Sequence, residues 1–162
     1  MEVQRLLEML RRVHDGDAWH GPSVMTALEG VTAVQAAARP LPGAHTIWEL
    51  VLHVVAWRRE VARRLGGKAP SLPEEGDWPE VLGHDEPAWA RTRLALQQSH
   101  DQLVALVEGL TDADLERQVG AAAEALAGAG VSVGVMLHGV IQHDCYHAGQ
   151  VSVMRKSGLD RV

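Results

Sequence analysis

The fold can be inferred from residues 135–147, VMLHGVIQHDCYH, whose apolar residues recur at helical spacing and include two histidines in their pattern. Continued towards the C-terminus, residues at steps of three and four form one side of this helix: Met136, Val140, His143, His147, Val151 and Met154. This spacing is typical of a helix that faces a protein core. The pattern therefore predicts that both histidines project from one face into the interior.

Two imidazoles four residues apart on a helix can bind one metal ion. Spacing alone is weak evidence, since nine histidines in 162 residues give about 0.5 such pairs by chance. Burial adds weight, because buried ring nitrogens need partners, and a metal satisfies one nitrogen of each ring while an outer acceptor takes the other. The alternative is a pair of core histidines that hydrogen-bond to the backbone or to each other.

Length and composition predict a single domain over residues 1–162, since a chain that is 46% hydrophobic can bury a sufficient core. The chain lacks an apolar run near the twenty or so residues that cross a bilayer, and it begins in an amphipathic pattern. We therefore expect a cytoplasmic protein without a membrane segment. Cys145 is the only cysteine, so no intrachain disulfide can form, and we interpret it as a small apolar filler on a different helix face from the histidines.

The charge of the chain argues against a nucleic-acid partner. A net charge of −6 provides no general surface for phosphates. One basic cluster lies near the end of a predicted helix, where we interpret it as a solvated face: Arg58, Arg59, Arg63 and Arg64. The acidic segment 74–86 is interpreted as a solvated loop.

Tryptophan supplies most of the aromatic surface, because the chain has no phenylalanine and one tyrosine. Large aromatic side chains belong more often to a core than to a binding cage. We therefore expect core positions for the five tryptophans: Trp19, Trp48, Trp57, Trp78 and Trp89.

The first half of the chain predicts two long helical regions. Apolar residues at helical spacing over residues 3–13 are interrupted near Gly16, and residues 24–28 resume the helical pattern, which we interpret as one broken arm. A second helix is predicted over residues 46–65, because Thr46 and Glu49 form a capping-box pattern and two glycines follow its end.

The second half predicts two more helices after a long connection over residues 66–85. The third runs over residues 86–110, and the fourth starts near Ser132 and ends at residues 157–158. Between them we expect a short helix capped at Thr111 and a flexible Ala/Gly-rich stretch over residues 120–130. No segment shows strand alternation, so the prediction is an all-α four-helix bundle.

His53 is the candidate for a third metal ligand. It shares a side of the second helix with Leu50 and Trp57, so a bundle can bring it opposite the pair on the fourth helix. Three imidazoles leave coordination positions for water or substrate, which is typical of a catalytic site. The other six histidines are expected elsewhere, four at the surface, one before the second helix and one on another face of the fourth: His14, His20, His84, His100, His45 and His138.

These residues resemble the DinB/YfiT-like metal-binding four-helix bundles. The similarity is carried by HTIWELVLH, residues 45–53, and HDCYHAGQ, residues 143–150, with GPS at 21–23 and LPG at 41–43 as further landmarks. It covers nearly the whole chain. The resemblance implies that His53, His143 and His147 bind the metal, that the bundle runs up-down-down-up with a crossover between helices 2 and 3, and that the protein is a homodimer.

The resemblance implies several activities. Some similar proteins are transferases or isomerases that depend on a low-molecular-weight thiol, others are described only as metal-dependent hydrolases, and many have no assigned reaction. Our first hypothesis is therefore an enzyme with Zn, Ni or Fe on the three histidines, acting on a small-molecule substrate by metal-activated thiol transfer or hydrolysis. The alternative is a noncatalytic metal-binding stress-response protein in which the ion joins two helices.

A hydrolase would also need a general base, and the sequence offers only weak candidates. Asp144 could serve, but it could equally orient a histidine, and Glu60 could be an ordinary surface carboxylate. Gln150 could line the site, and Tyr146 is more simply a packed or surface aromatic residue. Because a metal-activated thiolate needs less help from a base, this favours transfer over hydrolysis.

Overall fold

The computed structural model describes residues 1–120 and 130–157, which are mostly helical. The described elements, in chain order, are α1 (Glu2–His14), α2 (Val24–Ala27), α3 (Ala33–Ala37), α4 (Ile47–Leu65), α5 (Glu86–Glu108), a 3-10 helix (Asp112–Glu116), β1 (Gln118–Val119), β2 (Val131–Ser132) and α6 (Val133–Lys156). The four long helices are α1, α4, α5 and α6.

The four long helices pack together, as the all-α prediction requires. Helices α1 and α4 each pack against both α5 and α6, so the site-bearing helices α4 and α6 are neighbours. The long connection over residues 66–85 is present and contains neither helix nor strand. The up-down-down-up order of directions stays a prediction.

The boundaries of α4 follow from its first and last residues. The Oγ1 of Thr46 accepts a hydrogen bond from the amide of Glu49 at 3.1 Å, and the Glu49 carboxylate accepts one from the amide of Thr46 at 2.7 Å. This capping box satisfies two amides that the first helical turn leaves free. The helix ends at Leu65 before Gly66, as predicted.

Helices α5 and α6 also begin where the sequence predicts. Asp85 caps α5, which ends two residues before the predicted Leu110. Ser132 caps α6 by accepting a hydrogen bond from the amide of Val135 at 3.3 Å, and the last helical residue is Lys156.

Two features differ from the prediction. Helix α3 is absent from the prediction, because its five alanine-rich residues show no apolar periodicity. Strands β1 and β2 pair antiparallel through two residues each, which is too short for visible alternation. The 3-10 helix lies at the predicted short helix. Of the predicted flexible stretch, residues 121–129 lie outside the described residues.

The tryptophans divide between core and surface. Trp48 and Trp89 are buried, and their indole N–H groups donate to Thr92 Oγ1 at 2.9 Å and to the Val31 carbonyl at 2.8 Å. Trp19 is fully exposed and Trp78 is 39% exposed, so the prediction of core positions is wrong for these two. Trp78 lies instead against the candidate site described below.

Within residues 1–120 and 130–157, no helix combines the length and apolar character that a membrane crossing requires.

Candidate metal centre

Three imidazoles from two neighbouring helices meet in the interior. His53 projects from α4, and His143 and His147 project from α6, one turn apart. The Nε2 atom of His143 lies 2.9 Å from Nε2 of His53 and 3.1 Å from Nε2 of His147. One ligand atom from each of the three residues lies within 4.8 Å of the others. The structure thus brings together the three histidines that the sequence selects.

In two of these histidines, a hydrogen bond at Nδ1 determines which ring nitrogen carries the proton. Nδ1 of His53 lies 2.6 Å from the carbonyl oxygen of Asp77, and Nδ1 of His147 lies 2.6 Å from Oε1 of Gln150. Both oxygens accept hydrogen bonds, so each Nδ1 carries the proton. The Nε2 atoms of His53 and His147 therefore present lone pairs to the centre of the cluster.

This arrangement of donors fits a metal ion. An N–H on Nε2 of His143 can point fully at only one of the two facing lone pairs, whereas a cation satisfies all three nitrogens at once. Imidazole nitrogens about 2.1 Å from one ion stand about 3.0–3.4 Å apart in octahedral or tetrahedral geometry. Of the two observed Nε2 separations from His143, 3.1 Å lies within this range and 2.9 Å lies just below it.

Comparison with protein families matches residues 18–151 of the chain to the DinB superfamily. The chain belongs to this superfamily. The matched range contains all three histidines of the cluster and confirms the resemblance described above. Comparisons with curated proteins and with solved structures gave no match.

Burial keeps two of the three imidazoles neutral at neutral pH. The pKa of His53 is lowered by burial first, and the neighbouring His143 lowers it further. Burial also lowers the pKa of His147 to about 4, with His143 again adding to the effect. Neutral imidazole is the form that binds metals, so neither proton competes with an ion near pH 7.

The connection between α4 and α5 forms one wall of this DinB-type site. The Trp78 indole lies between the rings of His45 and His53, with ring centroids 3.5 Å and 4.0 Å away. The preceding residue, Asp77, accepts a hydrogen bond from Trp57 Nε1 at 2.7 Å and holds His53 through its carbonyl. The prediction that residues 74–86 form a solvated loop is correct, since none of them is buried, but it missed the contacts of Asp77 and Trp78 with the cluster. No spacing pattern in the sequence connects this loop to His53.

Asp144 is buried beside the cluster and bound by an arginine. Its Oδ2 accepts hydrogen bonds from Nε and Nη2 of Arg58 at 2.9 Å and 2.8 Å. Burial favours a raised pKa for this carboxyl group, but the Arg58 guanidinium and the neighbouring His143 together outweigh it and hold the pKa below its ordinary value. A carboxylate held in this way is a poor proton acceptor, which favours the orienting role over the role of general base.

Glu60 is a structural carboxylate rather than a surface one. It is 2% exposed and accepts hydrogen bonds from Arg63, from Arg64 and from the backbone amide of Ser71. Burial favours a raised pKa for Glu60, but the two arginines and the Ser71 amide together outweigh that effect and lower the pKa. The predicted solvated face is also wrong for Arg58 and Arg64, which are buried because each has a buried carboxylate as partner.

Two histidines predicted at the surface are buried. His14 on α1 and His100 on α5 stack with ring centroids 3.9 Å apart. They fall at a helix end and on a mostly polar helix, so periodicity does not reveal their burial. The surface prediction is correct for His20 and His84, and His138 is exposed on another face of α6, as expected.

The remaining candidates near the cluster differ in exposure. Gln150 contacts His147 as described, whereas Tyr146 is 65% exposed. Cys145 is partly buried, and burial raises the pKa of its thiol, so it is a poor metal ligand at neutral pH. Among the described residues, it does not belong to the group that could hold an ion.

Proposed function

We propose that this DinB superfamily protein is a divalent-metal-dependent enzyme, with His53, His143 and His147 as the metal ligands and a small molecule as substrate. The observation that carries the proposal is the convergence of three Nε2 atoms, two of them with lone pairs directed inwards. In the described part of the chain no fourth His, Cys, Asp or Glu joins the group. Three protein ligands are typical of a catalytic rather than a structural site.

The ligand set suits Zn, Ni or Fe. Bound there, such an ion would lower the pKa of a coordinated water or thiol and make it a nucleophile at neutral pH.

Access to the cluster is through His143. Its side chain is 27% exposed, whereas those of the other two histidines are nearly covered. It borders a pocket of about 280 Å³ whose other walls are mostly apolar: Trp57, Val61, Arg64, Val131, Val135, Met136, Gly139 and Val140. A second pocket of about 570 Å³ includes Tyr146 and Gln150. These pockets suit a substrate with an apolar body.

The surrounding carboxylates favour thiol transfer over hydrolysis. Asp144 and Glu60 are both held by buried arginines, which makes each a weak base for activating water. Transfer of a low-molecular-weight thiol demands less from a protein base, because the thiol loses its proton readily on a metal ion.

The second candidate function is a noncatalytic stress-response protein. It is supported by the same geometry, because an ion on His53 and His143 would join α4 to α6 and add to the stability of the fold. The two functions differ in turnover and not in metal content.

The metal assignment is tested by alanine substitution. We expect His53→Ala, His143→Ala and His147→Ala each to abolish stoichiometric metal while the far-UV circular dichroism remains helical. His138→Ala, an exposed histidine of the same helix, is the control and should retain one ion per chain. Equal metal content in all five proteins, measured by elemental analysis, would refute the assignment.

Activity is tested on the metal-loaded protein with thiol-conjugation and ester-hydrolysis substrates. We expect turnover of an electrophile in the presence of a small thiol, and its loss in His143→Ala. Large metal-dependent stability without turnover would favour the noncatalytic function. We further propose a homodimer, as the family resemblance implies, which sedimentation of the wild-type protein can test.

A further inference from the structure

Two buried polar atoms next to the cluster have no hydrogen-bond partner within residues 1–120 and 130–157. They are Nδ1 of His143 and Oδ1 of Asp144. The two atoms lie 3.9 Å apart, in residues that are adjacent in sequence. Buried polar groups are nearly always hydrogen-bonded, so an unpartnered ring nitrogen beside an unpartnered carboxylate oxygen calls for an explanation.

His143 differs in this respect from the other two histidines. His53 has the Asp77 carbonyl as acceptor for its Nδ1–H, and His147 has the Gln150 amide oxygen. Metal-bound histidines commonly donate the second ring N–H to such an acceptor, often a carboxylate. Asp144 Oδ1 is the nearest carboxylate oxygen that could do the same for His143.

Arg58 leaves that oxygen available. Its Nε and Nη2 both donate to Oδ2 of Asp144, so Oδ1 is not consumed by the ion pair. Arg58 is itself fixed, because Nη1 lies 3.3 Å from the Leu96 carbonyl and 3.3 Å from Nδ1 of His14. Groups from α1, α4 and α5 therefore hold this carboxylate of α6 beside the cluster.

We propose that Asp144 is a positioning residue for the metal centre, accepting a hydrogen bond from Nδ1–H of His143 when Nε2 of that ring faces a cation. This inference rests on the proposed metal site. Closing the present gap to a charge-assisted hydrogen bond of about 2.8 Å requires a movement of only about 1 Å. Arg58 acts one step further out, by holding Asp144.

The Asp144→Asn substitution tests this role because it reverses the hydrogen-bond direction. The asparagine oxygen would face the Arg58 donors, so its NH₂ group would face His143 Nδ1 and donate to it. That arrangement leaves Nδ1 without a proton and places the proton on Nε2, where it opposes metal binding. We expect zinc affinity to fall by about 10- to 100-fold, the usual effect of losing an outer partner.

The control is Glu60→Gln on α4. Glu60 is also a buried carboxylate paired with arginines, but its partners are Arg63, Arg64 and Ser71 rather than a histidine of the site. We expect Glu60→Gln to lose about as much stability as Asp144→Asn, while its zinc affinity stays within about twofold of wild type.

If Asp144→Asn does not fold, the double variant Arg58→Met with Asp144→Leu tests the same role. Replacing both members of a buried ion pair by apolar residues often preserves stability, and here it removes the acceptor as well. We expect the same loss of zinc affinity in the double variant.

Zinc titration and ¹⁵N-edited NMR of the zinc-loaded proteins provide the readouts. The role of Asp144 predicts a slowly exchanging Nδ1–H resonance for His143 in the wild type that is absent in both variants. Wild-type zinc affinity in both variants, an equal loss in Glu60→Gln, or no such resonance in the wild type would overturn the role of Asp144. A wild-type protein that takes up no divalent ion would overturn the metal site itself, which distinguishes the two failures.

Discussion

At the scale of single residues, the stacked pair His14 and His100 couples stability to pH. The side-chain oxygen of Gln97 accepts a hydrogen bond from His14 Nε2 at 3.0 Å. Nδ1 of His14 therefore carries no proton and faces the Arg58 guanidinium. Burial lowers the pKa of His14, and Arg58 lowers it further. Burial also lowers the pKa of His100 to about 3, with His14 and Arg58 adding to the effect against the weaker influence of Asp101 and Asp144. Both rings are therefore neutral in the folded protein near pH 7.

We predict that the metal-free protein loses stability as the pH falls below about 6.5, the pKa of histidine in an unfolded chain. Between that pH and about 3, His100 is protonated in the unfolded chain but not in the folded protein. The free energy of unfolding therefore falls by up to about 1.4 kcal/mol for each unit by which the pH is lowered. His100→Leu should flatten this dependence in denaturant titrations from pH 7.5 to 4.5. The exposed His20→Leu is the control, and equal slopes in the two variants would contradict the prediction.

Sequence reasoning found the three histidines of the cluster but not their surroundings. His143 and His147 are related by helical periodicity, His53 shares the apolar side of its helix with Leu50 and Trp57, and the family resemblance implies the same three residues. Asp77 and Trp78 reach His53 only through the path of an irregular loop, which no local pattern encodes.

The prediction of a solvated face is wrong for Arg58 for a similar reason, because its partner lies on another helix. The burial of Arg58 depends on Asp144, which lies 86 residues later in the chain. Periodicity along one helix cannot reveal such a partner, and a charged side chain without a known partner is predicted at the surface.

At the scale of elements, helix ends were the most predictable feature. The capping box of α4 involves Thr46 and Glu49, three positions apart, and the α6 cap involves Ser132 and the amide of Val135. Such signals are local and survive in the sequence. Helix α3 has a capping box as well, formed by Thr32 and Gln35, but its five residues are too few to show an apolar face.

Gly139, in the middle of α6, offers a test of element stability. A Cβ atom added there would meet no atom within 4 Å, so alanine fits without strain. We predict that Gly139→Ala raises the free energy of unfolding by about 0.5–1 kcal/mol, because alanine loses less backbone entropy than glycine in a helix.

Gly43→Ala is the matched comparison. Space around Gly43 is equally open, but its φ of +77° lies in the left-handed region, where a side chain costs about 1–2 kcal/mol. Denaturant titration should therefore give opposite signs for the two substitutions. The same sign for both would show that backbone conformation does not govern the effect.

At the scale of the whole molecule, the helical class was predictable and the arrangement was not. Apolar faces show that the long helices must pack, but they do not say which helices become neighbours. The contact between α4 and α6 that creates the site is a property of the assembled fold.

An ion on the cluster would stabilise the whole molecule by mass action. We predict that free zinc at 100 times its dissociation constant raises the free energy of unfolding by about 2.7 kcal/mol, with a matching rise in Tm that a chelator reverses. His147→Ala should show no rise, because its ligand set is incomplete. An equal rise in wild type and His147→Ala, measured by thermal denaturation, would place the zinc elsewhere.

The distance along the chain between the ligands has a consequence for biosynthesis. His53 and His143 are 90 positions apart, and at ordinary translation speeds the ribosome needs roughly 5–18 seconds to make the chain between them. During that interval His53 lacks both of its partners from α6, and one imidazole of the site alone does not retain an ion. An ion on the proposed site would therefore be taken up only after α6 has docked, and the exposed edge of His143 is where it would enter.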